Sequence, residues 1–157
     1  MKFKNLLAAV LFVCAFTSAK AQLSVGGGVS FPFDLGELGL LGRATYDFDD
    51  TWRGAGTFTY YLDGIEGLSF WTLDFDANYS IGGSESVAPY LLAGLSVYNA
   101  GVDLGPFGSA SASDVGISLG GGALFPVNSF NIFGEGRVRI AGGTDIAVTG
   151  GILVPLN

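Results

Sequence analysis

Over eight stretches of the chain, apolar residues recur at every second position, and clusters of Gly, Asp, Asn and Ser separate the stretches. Period-two alternation is the signature of a strand with one apolar and one polar face. The pattern predicts strands at 22–33, 38–48, 52–62, 69–81, 87–102, 114–127, 130–141 and 145–156. The joints fall at 34–37, 49–51, 63–67, 82–86, 104–113, 128–129 and 142–144. In the fourth strand Trp71, Leu73, Phe75, Ala77 and Tyr79 alternate with Thr72, Asp74, Asp76 and Asn78. In the seventh, Ile132, Val138 and Ile140 alternate with Asn131, Glu135, Arg137 and Arg139. The fifth and sixth strands are less regular, since Tyr90, Leu92, Tyr98 and Leu124 fall on the small or polar face. No stretch has a sustained helical period, so the expected fold class is all-β, an eight-stranded antiparallel up-and-down barrel.

Side-chain volume decides which face points inward. The apolar face carries about thirty large side chains, too many for the interior of an eight-stranded barrel, which is only wide enough to be filled by side chains or hold one small ligand. The opposite face is mostly Gly, Ala, Ser and Thr, with Gly94, Gly116, Gly120, Gly122 and Gly151 among them. The bulky face is therefore expected outside, against acyl chains. The rival, a soluble secreted barrel of lipocalin or avidin type binding a small apolar ligand, needs the reverse orientation.

Charge follows the same division. Polar-face strand positions hold Arg43, Arg53, Arg137 and Arg139 against Asp47, Asp74, Asp76 and Glu135. These eight are expected to pair as a lumenal network, because an arginine facing lipid at the bilayer midplane costs about 2–4 kcal/mol. The other ten acidic residues fall in or beside joints, as a solvated rim: Asp34, Glu37, Asp49, Asp50, Asp63, Glu66, Glu85, Asp103, Asp114 and Asp145. If the second turn is tight around Asp50, Asp47 and Arg53 sit opposite each other inside. Phe31, Phe33, Tyr46, Phe48, Trp52, Tyr60, Trp71, Tyr79, Phe125 and Phe130 lie mostly near strand ends, as interfacial aromatic girdles do.

Residues 1–21 read as a signal peptide, with Lys2 and Lys4 before an apolar run from Leu6 to Phe16 and an Ala19-Lys20-Ala21 cleavage site. The barrel domain then spans 22–157. Cleavage removes all three lysines and the sole cysteine, Cys14, which leaves no disulfide framework. What remains has four arginines against fourteen carboxylates, which argues against a nucleic-acid partner. Mean hydropathy is +0.49 although no remaining run is long enough for a spanning helix. A hydrophobic exported chain of that kind crosses a bilayer only as a closed barrel.

Little in the sequence suggests catalysis or a cofactor. The absence of histidine removes Ser-His-Asp and Cys-His catalysis and ordinary zinc sites. Asp74 and Asp76 share a strand face and read as acceptors for lumenal arginines rather than an acid/base or metal pair. Asp47, Asp49 and Asp50 read as solvated turn carboxylates rather than a calcium site. The glycine clusters at 26–28, 120–122 and 134–136 lack the helix and lysine of a phosphate loop. Asn78-Tyr79-Ser80 fits a glycosylation sequon but lies mid-strand.

The segment Pro89-Tyr90-Leu91-Leu92-Ala93-Gly94-Leu95-Ser96-Val97 resembles the "PYLGAGLG" strand of the small eight-stranded outer-membrane barrels of didermal bacteria, the OmpX/OmpA-barrel type. Thr149, Gly151, Val154 and Leu156 resemble that family's C-terminal assembly signal, although the chain ends Pro155-Leu156-Asn157 where the family usually ends in an aromatic. The resemblance implies a non-enzymatic integral protein of the cell outer membrane, with a structural or surface-exposed role. It implies outer-membrane lipid and the barrel assembly machinery as partners, with an extracellular ligand or host surface left open. A narrow conduit for small apolar molecules is an alternative that some relatives provide. Both termini would face the periplasm, and residues 104–113 would form the longest external loop.

Overall fold

The structure is a computed structural model that describes residues 23–62, 68–103 and 105–156. The expected signal peptide and the joint at 63–67 lie outside the described residues. Eight strands follow one another: β1 Leu23–Pro32, β2 Gly39–Asp47, β3 Trp52–Tyr61, β4 Leu68–Ser80, β5 Ala88–Asp103, β6 Ser109–Val127, β7 Phe130–Ile140 and β8 Thr144–Leu156. Each pairs antiparallel with the next, and β8 returns to β1 to close the barrel. The closing seam runs from Leu23 opposite Leu156 to Pro32 opposite Ala147. Closure leaves no sheet edge along the seam, so every strand has two neighbours to satisfy its backbone groups.

Local chemistry sets the turns. Asp49 Oδ1 accepts the backbone N–H groups of Thr51 and Trp52 at 2.7 and 2.8 Å, tying the β2–β3 hairpin. That turn fixes the register and puts Asp47 directly opposite Arg53. The β6–β7 joint is the pair Asn128-Ser129, and Asn128 takes the left-handed conformation (φ 52°) that asparagine tolerates.

Seven strands begin and end within a residue of the sequence expectation; β6 does not. It starts at Ser109 rather than 114, and Ser109–Ser113 pair with Asn99–Asp103 of β5. Alternating Ser and Ala look like a loop because small polar residues favour turns. Here the extended β5 supplies a ready ladder, and pairing overrides that preference. The expected 104–113 loop is therefore a projecting hairpin. Its connection is only 104–108, with a 3-10 turn at Gly105–Phe107. β5 and β6 have 16 and 19 residues, beyond the roughly 9–11 that cross a bilayer.

The orientation follows the volume argument. Large apolar side chains from every strand are exposed outside, including Leu40, Phe58, Leu95, Ile117 and Ile152. Phe75 is 55% exposed and Ile140 46%, whereas Arg137 is 2% exposed. A contiguous apolar belt of this extent far exceeds what soluble monomers leave to water. The apolar face that a lipocalin-like barrel would need inside is outside. Outer aromatic pairs stand near the ends: Phe31 with Phe33, Tyr46 with Phe48, and Trp52 with Tyr79, ring centroids 5.0–5.8 Å apart.

The lumen is less uniformly small and polar than the alternation suggested. Tyr90, Leu92 and Leu124 point inward, and Leu41, Phe133 and Leu153 join them in a buried apolar cluster. Two glycines make room for it. A Cβ on Gly122 would lie 2.9 Å from the Tyr90 hydroxyl, and one on Gly151 2.8 Å from the Phe133 ring.

Candidate functional site: the lumenal charge ladder

Beside the apolar cluster, the inward positions of several strands bring their charges together. Arg43 of β2 meets Glu135 of β7 through two parallel bonds, Nη1 to Oε1 at 2.7 Å and Nη2 to Oε2 at 2.8 Å. Its Nε donates to Thr57 Oγ1 at 2.9 Å, and its guanidinium carbon lies 4.6 Å from the Phe133 ring centroid. The geometry is the bidentate fork that makes arginine the preferred partner of a buried carboxylate. Tyr90 Oη donates to Glu135 Oε1 at 2.6 Å, so one end of the apolar cluster is wired into the charges.

Arg137 continues the ladder. Its Nη2 lies 2.7 Å from Glu135 Oε2 and 3.1 Å from Asp76 Oδ2, and its Nη1 lies 3.4 Å from Asp74 Oδ2. Ser118 donates to Asp76 Oδ1 at 2.8 Å, and Ser96 donates to Asp74 Oδ1. Arg139 then shares Asp74 at 3.5 Å, reaches Asp145 Oδ2 at 3.1 Å and donates to Tyr61 Oη at 3.2 Å. Strand parity explains why these groups converge. Residues 135, 137 and 139 project from one face of β7, and 74 and 76 from one face of β4.

Of the eight residues expected in a lumenal network, six are joined: Arg43, Asp74, Asp76, Glu135, Arg137 and Arg139. Asp47 and Arg53 form their own ion pair, partly exposed at the end of the barrel where the termini lie. Asp145, expected on the solvated rim, is instead bound to Arg139. Its odd position in β8, shared with inward Ala147 and Thr149, was the available signal. Tyr61, Tyr90, Thr57, Ser96 and Ser118 complete the network, and their inward parity is likewise readable. Which inward group bonds to which is not, because that depends on distances across the barrel.

The arrangement is one of mutually paired charges. Three arginines face three deeply buried carboxylates and the half-buried Asp145, and each carboxylate is engaged by at least one guanidinium. Among the described residues, no three of His, Cys, Asp and Glu gather where they could hold a metal ion. Of the four residues of the expected assembly signal, Thr149 is buried in the lumen, Gly151 packs beneath Phe133, and Val154 and Leu156 are exposed on the outer surface.

Sequence comparison finds no matching family model and no matching curated protein. Solved structures do match over nearly the whole barrel. The N-terminal β-barrel domain of Pseudomonas aeruginosa OprF is similar with a TM-score of 0.71 and 15% identity, covering 86% of this chain and 97% of that one. Ail, the attachment invasion locus protein of Yersinia pestis, solved with the heparin analogue sucrose octasulfate, gives 0.65 and 21%, covering 87% and 97%. A major outer membrane protein from Thermus thermophilus gives 0.66 and 13%, covering 88% and 100%. The fold is that of the small eight-stranded outer-membrane barrels.

Proposed function

We propose that this chain is a small integral outer-membrane barrel of a didermal bacterium, non-enzymatic, which keeps its own lumen closed and serves a structural or surface-exposed role. The observation that carries this reading is the inversion of polarity across one sheet. Guanidinium and carboxylate groups fill the interior, while Phe75, Leu95, Ile140 and their neighbours face outward. In water that outer surface would aggregate; in a bilayer it matches the solvent. Lipid is accordingly the partner of the outer face, and the barrel assembly machinery would read the end of β8, where Val154 and Leu156 present an apolar edge beside Gly151.

The ladder and the apolar cluster together occlude the lumen, which argues against the narrow-conduit alternative. The likeness to Ail does not extend to its sulfated ligand by charge. At the end remote from the termini, the β1–β2 joint carries Asp34 and Glu37 and the last residue of β5 is Asp103, and the described joints there hold no basic residue, so a polyanion would be repelled there.

Electrophoresis in SDS with and without boiling tests the reading. The unheated barrel should migrate differently from the boiled chain, and the protein should float with lipid vesicles. A protein that stays in the aqueous phase and shows no heat-dependent migration would overturn the membrane assignment. Steady ion current through planar bilayers containing the purified protein would overturn the closed lumen.

A further inference from the structure

At the end remote from the termini, the barrel opens into a cleft of about 370 Å³ between the projecting β5–β6 hairpin and the β7–β8 turn. Phe70, Tyr98, Ala100, Ala112 and Ala141 line it. Tyr61, Phe70 and Tyr98 form an aromatic row along this inner wall, successive centroids 5.1 and 6.4 Å apart. The cleft lies at the small end of the range for ligand pockets, and apolar walls with a few polar groups are the usual make-up of such sites.

The charges at its edge have one sign in excess. Asp145 and Arg139 lie at the base and Asp114 on the rim. Arg139 already spends both Nη groups on Asp74, Asp145 and Tyr61. Asp145 Oδ2 accepts from Arg139, but its Oδ1 is shielded from solvent and has no hydrogen-bond partner. Arg139 Nε is likewise buried and unbonded. Asp114 uses Oδ1 for the Val115 N–H, while its Oδ2 faces the β7–β8 turn near Gly142. Two carboxylates stand beside an aromatic wall, and the single cation there, bonded to Asp145, is shared with Asp74, so the excess negative charge forms an environment for a positively charged donor. Aromatic faces add their own attraction for cations.

We infer that this cleft binds a small organic ammonium ion, its aryl or short alkyl body against Phe70 and Tyr98 and its charged nitrogen between Asp145 and Asp114. Anions are the chemical opposite, and the Arg139 guanidinium, with its Nε unbonded, would favour them, so the test separates the two.

The full barrel in nanodiscs of zwitterionic lipid is titrated with phenethylammonium, with 2-phenylethanol and phenylacetate as the neutral and anionic probes, and amide NMR shifts are followed. Phenethylammonium should move the signals of Ala112, Ala141 and Gly143 saturably, and both other probes should bind at least about tenfold more weakly. Asp145→Asn and Asp114→Asn should each weaken the ammonium by about tenfold, while Leu95→Ala on the outer surface should not. Asp114 is exposed, so Asp114→Asn remains informative if Asp145→Asn fails to give a heat-modifiable barrel. The inference is overturned if those signals do not shift saturably, if either control probe binds as tightly, or if affinity survives Asp114→Asn unchanged.

Discussion

Arg43 and Glu135, 92 residues apart in the chain, lock together by two parallel hydrogen bonds of 2.7 and 2.8 Å within the barrel lumen. Both side chains are almost wholly out of solvent. The pair ties β2 to β7, strands that share no backbone ladder. Glu135 also takes Tyr90 and Arg137, so one carboxylate draws β2 and β5 onto β7.

Glu135→Ala should therefore be among the most damaging substitutions. It leaves Arg43 and Arg137 buried without their shared counter-charge, a loss of about 3–5 kcal/mol for a broken buried pair. The temperature at which the SDS-resistant form disappears should fall markedly. Converting both partners, Arg43→Met with Glu135→Leu, should cost less than the two single changes added together. A double-mutant cycle on urea unfolding in lipid vesicles would measure that coupling.

Gly151→Val should block barrel closure. A Cβ there meets the Phe133 ring at 2.8 Å and the backbone of Gly28, also at 2.8 Å, across the β1–β8 seam. The yield of folded barrel on refolding into detergent micelles should drop sharply. Gly134→Ala is the matched control, since its Cβ would enter open space on the outer face; its yield should be close to that of the parent.

The outer belt predicts a depth-dependent penalty. Phe75→Arg places a charge on the lipid-facing surface and should cost about 2–4 kcal/mol if the site lies near the midplane. Phe107→Arg, at the tip of the projecting hairpin and 89% exposed, should be nearly neutral. Equilibrium unfolding of both variants in the same vesicles makes the comparison.

An epitope inserted between Phe107 and Gly108 should leave the heat-modifiable barrel intact, because the connection there already sits beyond the ladder. Antibody labelling of intact cells would then report which side of the membrane this hairpin faces. The same epitope between Asn128 and Ser129 should reduce folding, since that two-residue joint is a tight turn with Asn128 in the left-handed region.

The strand count, the orientation of each face and the inward position of the arginines were legible in the sequence. Period two fixes which residues share a face, and side-chain volume fixes which face an eight-stranded barrel can hold inside. The Asp47–Arg53 pair was legible too, because a short turn sets the register of its own hairpin. Other features required the folded chain. Ser109–Ser113 carry small polar residues with weak intrinsic preference, so only the neighbouring ladder of β5 makes them strand. Asp145 sits beside a turn and reads as solvated, although its parity and the register of its own hairpin set it opposite Arg139; that it is drawn into the buried ladder rather than left in solvent rests on Arg139 also reaching Asp74. Leu41, Phe133 and Leu153 came from different strands with nothing local to mark them as one cluster. Alternation along a strand says which way a side chain points; what it meets there depends on how the barrel closes, and that is set by all eight strands at once.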